Sequence, residues 1–245
     1  MSTEPASAEV TGTVTEVFDG DTVVVDTAAA KVTVRLIGIN APESGECHYT
    51  QSSDFLEDRV AGEVIRMNER GVDQFDRTLA TLWVGDVNIN QLMVSKGMAI
   101  ASVSSDLEQP GELYLDDEES AYQDRIGLWS PDACGSGTSA RVIIDGDLST
   151  PDPPGPDDQV LDDETIVIVN ATIDPVDLSG WAIRDESSRH RYLFKAGTIV
   201  PSSSRITVSS SDPAWDPGGS PVWNNDGDMA LLLDQHGNVV GRWRY

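Results

Sequence analysis

Lysine is nearly absent from this 245-residue chain: Lys31, Lys96 and Lys195 are its full complement. Lysine and arginine together number 16 against 42 aspartates and glutamates, so the formal net charge is −26. Net charge therefore cannot be what draws this protein to a polyanion; short-range contacts would have to do it. The acidic residues run along the whole chain, and valine-rich periodic segments continue beside them, which excludes an acidic disordered tail. The composition reads as one suited to high salt, where the Debye length is only about 3 Å and self-repulsion is tolerable. Cysteine is scarce too. Cys47 and Cys134 stand alone, with no C-x-x-C pair, so the usual zinc arrangements are excluded. One long-range disulfide, implying an oxidising compartment, and two independent buried thiols both remain open. No apolar run is long enough to span a bilayer, and Met1-Ser2-Thr3-Glu4 is not a basic-then-apolar export signal.

What is present is organised around residues 17–43. Val-Phe-Asp-Gly-Asp-Thr-Val-Val-Val-Asp is followed, after a small-residue turn, by Val-Thr-Val-Arg-Leu-Ile-Gly-Ile-Asn-Ala-Pro-Glu. Val23 to Val25 and Val32 to Ile37 predict two strands of one hairpin. Asp19 and Asp21 precede the first, and Asn40 and Glu43 follow the second. Arg35 sits among apolar neighbours, where a guanidinium must be paired.

The length predicts two domains. In the first, strands are expected at Val10 to Val17, Thr22 to Asp26, Lys31 to Ile39, Glu63 to Met67, Thr78 to Val84 and Met98 to Val103. Helices are expected from about Tyr49 through Val60, from Asn88 to Lys96, and from Pro110 to about Arg125. Glu69 to Asp76 reads as a charged loop, and Tyr114, Tyr122 and Asp116 to Glu119 as a solvated helix face. His48 reads as a surface residue. The expected organisation is a disordered stretch over 1–9, a β-barrel with three helices over 10–134, a Pro/Asp-rich linker over 135–160 and a β-sandwich over 161–245. The last segment shows short strands at Thr165 to Val169, near Trp181 to Arg184, and at Arg191 to Phe194, Arg205 to Val208, Met229 to Leu233 and Val239 to Trp243.

The chemistry follows from residue type. Hydrolysis of a phosphodiester needs charge neutralisation at phosphorus, an activated water and an oriented leaving group. Asp21 and Asn40 offer oxygen ligands to a hard cation, and calcium suits such an incomplete, flexible set. Glu43 is placed to accept a proton from water. Arg35 grips phosphate oxygens in a fork, with Arg77, just before the strand at Thr78, as the second grip.

Asp19-Gly20-Asp21-Thr22, Val34-Arg35-Leu36-Ile37-Gly38-Ile39-Asn40-Ala41-Pro42-Glu43, Asp76-Arg77-Thr78-Leu79-Ala80 and Gly127-Leu128-Trp129 resemble the staphylococcal nuclease (thermonuclease) family, over about Thr11 to Trp129. The resemblance implies an OB-fold β-barrel with three helices, calcium dependence, and cleavage of DNA and RNA to 3′-phosphate ends. Asp21, Asn40 and the Ala41 carbonyl would hold Ca2+, Glu43 would serve the water, and Arg35 and Arg77 would hold phosphate. Two positions depart from the family pattern. Asn40 stands where an aspartate is usual, removing one negative charge, and Phe75-Asp76 replaces Tyr-Gly, so that Asp76 is expected to pair with Arg77. Cys47 and Cys134 flank the family core, and a disulfide there would pin the chain after the barrel to the loop after Glu43.

Pro175-Val176-Asp177-Leu178-Ser179-Gly180-Trp181, together with Pro221-Val222-Trp223-Asn224-Asn225-Asp226-Gly227-Asp228, resembles the lamin-tail domain over about Asp162 to Tyr245. An immunoglobulin-like β-sandwich is implied, with Trp181 and Trp223 in its core and surface or polymer contact as its role. The expectation is a calcium-dependent nuclease of a halophilic archaeon, monomeric, secreted or cell-surface. The alternative is a non-catalytic nucleic-acid-binding or surface protein with a degenerate metal site.

Overall fold

The computed structural model describes residues 9–103, 110–154, 160–187, 190–216, 218, 222–224 and 227–245. The expected disordered stretch lies outside these residues except for Glu9, as do Pro221, Asn225 and Asp226 of the second motif. The chain divides into two units, Met1–Gly127 and Leu128–Tyr245.

The first unit is built on β1 (Glu9–Val17), β2 (Thr22–Thr27), β3 (Lys31–Leu36), β4 (Ile39–Asn40), β5 (Val64–Val72), β6 (Thr78–Val84), β7 (Val87–Asn88) and β8 (Ile100–Ala101). Strand order is β3-β2-β1-β5-β6-β7. All neighbours are antiparallel, and a parallel pairing of β3 with β6 (Val34 opposite Thr78, Leu36 opposite Ala80) closes a five-stranded barrel. Closure leaves no edge between β3 and β6. Alternation then sorts the side chains: Val23, Val25, Val34, Leu36, Met67, Ala80 and Leu82 fill the interior with no exposed surface. Arg35 points the other way from Val34 and Leu36.

Helices α1 (Tyr49–Val60), α2 (Ile89–Ser95) and α3 (Leu115–Gln123) pack on the barrel. The core takes Leu56 and Val60 from α1, and Ile89, Met93 and Val94 from α2. Asn90, fully buried on α2, ties three segments together. Its Oδ1 accepts from the Leu82 N–H at 3.0 Å, and its Nδ2 donates to the Ile37 and Ala80 carbonyls at 2.8 and 3.2 Å. Backbone groups buried beneath the helix are thereby given side-chain partners.

Several expectations are corrected. The strand expected through Ile39 stops at Leu36, because Gly38 takes φ 76 and turns the chain into β4. Glu69 to Val72 is strand, not loop. It continues β5 past a register shift between Glu69 and Gly71, so the loop begins only at Asp73. The third helix starts as a 3₁₀ turn over Pro110–Tyr114. Tyr114 and Glu118 are buried, not solvated. The Tyr114 hydroxyl meets Asn88 Nδ2 at 3.3 Å, and Glu118 accepts the Ala101 N–H at 2.8 Å. Both find polar partners, which is what permits their burial. His48 is half-buried. Its φ is 68, and both ring nitrogens are buried without a hydrogen-bond partner.

Among its described residues the second unit contains ten strands: β9 (Val142–Ile144), β10 (Thr165–Asn170), β11 (Val176–Asp177), β12 (Ala182–Arg184), β13 (Arg191–Leu193), β14 (Ile199–Val200), β15 (Arg205–Ser209), β16 (Trp215–Asp216), β17 (Met229–Leu233) and β18 (Val239–Arg244). Every pairing is antiparallel, in sheets β15-β10-β9, β11-β14 and β16-β13-β12-β17-β18. This is the β-rich, immunoglobulin-like architecture expected. Trp181 and Trp223 are core residues, each 3% exposed. Tyr192, Trp215 and Trp223 meet edge to face, with centroids 5.5 and 5.8 Å apart. Val142–Ile144 lies inside the stretch expected as linker yet forms a strand on β10. Three residues are too short a run to carry a readable period of two.

Candidate active site

The site lies where β1, β3 and β5 end. Between β1 and β2, Asp19 Oδ1 accepts the Asp21 N–H at 3.0 Å, a local turn that sets the Asp21 side chain. Gly20 makes that turn possible: a Cβ there would lie 1.9 Å from Ser52 Oγ and 2.7 Å from the Ala41 Cβ. Register does the rest. Thr22 pairs with Arg35 across β2 and β3, and the Leu36 N–H donates to the Asp21 carbonyl at 2.8 Å. Asp21 and Arg35 are 14 positions apart in sequence, and the hairpin makes them neighbours.

Asp21 is buried. Its Oδ2 accepts the Ala41 N–H at 2.7 Å and faces Arg35 Nη2 at 3.0 Å, while its Oδ1 accepts from Thr22 Oγ1 at 3.0 Å. Burial raises its pKa to about 6; Arg35 pulls it down, Asp19 pushes it up, and the Ala41 and Thr22 hydrogen bonds lower it. Arg35 Nη2 also donates to Asn40 Oδ1 at 2.8 Å, and Nη1 donates to the Leu36 and Ile39 carbonyls at 2.6 and 2.9 Å. The guanidinium is thus paired as its burial demands, with Asp21 and not with Glu43.

Glu43 is exposed by surface area. The walls beside it still strip enough water to raise its pKa; Asp19 and Glu46 add to the rise, and Arg35 and Arg77 oppose it. A turn fixes its backbone: Glu46 Oε2 accepts the Glu43 N–H at 3.0 Å, and the Glu46 N–H returns to the Glu43 carbonyl at 2.8 Å. Arg77 comes from the loop between β5 and β6. Asp73 organises that loop, accepting the Phe75 and Arg77 N–H groups at Oδ1 (2.9 Å each) and Arg77 Nε at Oδ2 (2.7 Å). The expected Asp76–Arg77 pair is therefore replaced by Asp73–Arg77. The four-residue separation closes a loop that sequence neighbours cannot. Asp76 instead takes φ 62 at the loop tip.

Arg35, Glu43, Arg77, Asp21, Asn40 and Ala41 all lie on this end of one unit, with Arg35 and Arg77 both close enough to act on the Glu43 charge. Asp19, Glu46 and Asp73 belong to the same constellation and went unassigned in the sequence. Asp19 was visible as a strand-end acid; nothing local marks Glu46 or Asp73. Among the described residues no group of three His, Cys, Asp or Glu side chains is arranged to hold a metal. A hard cation fits in a narrower sense. Two side-chain oxygens, from Asp21 and Asn40, converge on one point, where Arg35 Nη2 stands as the cation, and both are of the oxygen type that calcium takes. Cys47 and Cys134 are both disulfide-bonded, so neither is a free thiol.

Residues 33–131 match the family model for staphylococcal nuclease homologues, and residues 138–245 match that for the lamin tail domain. Among curated proteins, the chain is 33% identical over 135 residues to a micrococcal nuclease of Shigella flexneri, covering 51% of this chain and 77% of that one. It is 36% identical over 118 residues to an uncharacterized endonuclease of Haemophilus influenzae, covering 48% of this chain and 65% of the relative. It is 26% identical over 130 residues to a thermonuclease of Staphylococcus hyicus, covering 50% of this chain and 77% of that protein.

Proposed function

The chain belongs to the staphylococcal nuclease family, with a lamin tail domain following, and from that premise we propose that it is a calcium-dependent nuclease cleaving DNA and RNA to 3′-phosphate ends. The observation that carries this reading is the meeting of Asp21 and Asn40 within 3.0 Å of Arg35 Nη2, beside Glu43 and Arg77. Calcium, held by Asp21, Asn40 and the Ala41 carbonyl with water completing its shell, would neutralise charge on the phosphate.

The chain's own groups do the rest. Glu43, its pKa raised toward neutrality, takes the proton of the attacking water. The water oxygen bonds to phosphorus, the bond from phosphorus to the 5′ oxygen breaks, that oxygen leaves as a hydroxyl with a proton taken from solvent, and phosphate stays on the 3′ side. Arg77 is anchored through Nε, which leaves its Nη groups for phosphate oxygens as charge builds on them. Binding by these few contacts answers the −26 charge, since no broad basic face is required.

The bonded cysteines support an oxidising, extracellular or cell-surface setting. Among its described residues the second domain carries no catalytic constellation, and it is assigned to surface or polymer contact, with the protein acting as a monomer. Digestion of single-stranded DNA in molar salt tests the whole reading. Wild type should cut with calcium and stop with chelator, and Glu43→Gln should be slower by roughly 10²–10⁴-fold. Substrate left intact by wild type at every calcium level would remove the enzyme reading and leave a binding protein.

A further inference from the structure

We infer that Arg35 is a cation already built into this site, and that calcium enters only by exchanging with its guanidinium. The inference rests on the calcium reading above and says what sets the threshold for metal binding.

Convergence on one atom is the ground for it. Arg35 Nη2 lies 2.8 Å from Asn40 Oδ1 and 3.0 Å from Asp21 Oδ2. These are the two side-chain oxygens assigned to the metal, and one nitrogen engages both. A calcium ion binds its oxygens at about 2.3–2.6 Å. Bound through this pair, it would compete with Nη2 for the same two oxygens, and two positive charges sharing them would repel strongly in a poorly hydrated site. Only one of them can hold both oxygens. Arg35 has a second hold through Nη1, on the Leu36 and Ile39 carbonyls. Those bonds resist its leaving and give it a pivot when it does.

Asn40 sharpens the exchange. Among the three side chains that meet here, Asp21 brings one negative charge, Arg35 one positive charge and Asn40 none. The trio is neutral with Arg35 in place. A carboxylate at position 40 would leave a charge that Arg35 does not cancel and so draw in a second cation; asparagine removes that pull. The same event frees Nη2, so the arrival of metal and the release of an arginine hydrogen-bond donor toward phosphate become one step.

Calorimetric titration of the full chain with calcium, without nucleic acid and at fixed salt, tests this. Arg35→Ala should bind calcium at least tenfold more tightly than wild type. Arg77→Ala removes an equal charge near Glu43 but touches neither oxygen, and should change affinity less than threefold. Equal or weaker binding by Arg35→Ala overturns the exchange, as does an equal gain in both variants, which would make the effect one of general charge. If neither wild type nor Arg35→Ala binds calcium, the calcium reading itself falls and the exchange with it. Should Arg35→Ala fail to fold, nuclear magnetic resonance of the wild-type guanidinium groups decides. Calcium should shift the Arg35 signals and leave those of Arg77 in place, and an unmoved Arg35 overturns the proposal.

Discussion

Asp21 is a carboxylate placed where burial opposes its charge. Its pKa rises from 3.8 to about 6, despite the guanidinium at 3.0 Å and the two hydrogen bonds that favour the ionised form. The sign of the stability effect follows. The folded state binds this proton more tightly than the unfolded state, so the Asp21 contribution is greatest below about pH 4 and is lost as pH rises through about 6. Asp21→Asn lacks the titration. In chelator, the unfolding free energy of Asp21→Asn minus that of wild type should therefore grow from about pH 4 to about pH 6.5, by up to about 3 kcal/mol. Urea titrations at several pH values read this directly. A difference that stays flat would mean that Arg35 offsets the burial in full.

At the scale of elements, the β5–β6 hairpin carries the least expected feature of the site. Its loop is held by one carboxylate that accepts from two backbone N–H groups and from Arg77 Nε. Asp73→Asn keeps an oxygen for the backbone and loses the charge that aims Arg77. It should lower kcat about tenfold in the wild-type background and leave Arg77→Ala unchanged, because the two residues act through one contact of the ~1.4 kcal/mol scale. Independent losses in the double variant would reduce Asp73 to a loop staple. This element also shows where sequence reading stops. Thr78–Val84 was legible to the residue, because Thr78, Thr81, Trp83 and Val84 favour a strand and Gly85-Asp86 turns the chain after it. Asp73 was not, because an acid in an acidic loop differs from its neighbours only by what the fold brings to it.

For the whole molecule, the charge of −26 is the governing quantity. It is what remains after all 16 basic residues are counted, so pairs inside the fold, among them Arg35–Asp21, Arg66–Glu9, Arg77–Asp73 and Arg244–Glu186, leave it unchanged. Screening shortens from about 10 Å at 0.1 M to about 3 Å at 1 M. Moving between these salt concentrations should stabilise both units by a few kcal/mol, roughly 5–10 °C in melting temperature. Calorimetry in rising potassium chloride measures this, and a melting temperature that falls or stays level would contradict the high-salt reading.

The amino-acid sequence by itself determined the two-domain, β-rich plan, the hairpin of residues 17–43 and the identity of the polar groups around it. Those are local properties: alternation, turn residues, and rare side chains among apolar neighbours. Only the tertiary structure decided the pairings. Arg35 faces Asp21 because β2 and β3 pair in one register, Arg77 is held by Asp73 and not by Asp76, and Tyr114 and Glu118 are buried because Asn88 and Ala101 meet them. Each of these depends on two segments arriving at one place, and the energy of a charge is set by its neighbours in space, which the order of residues along the chain does not state.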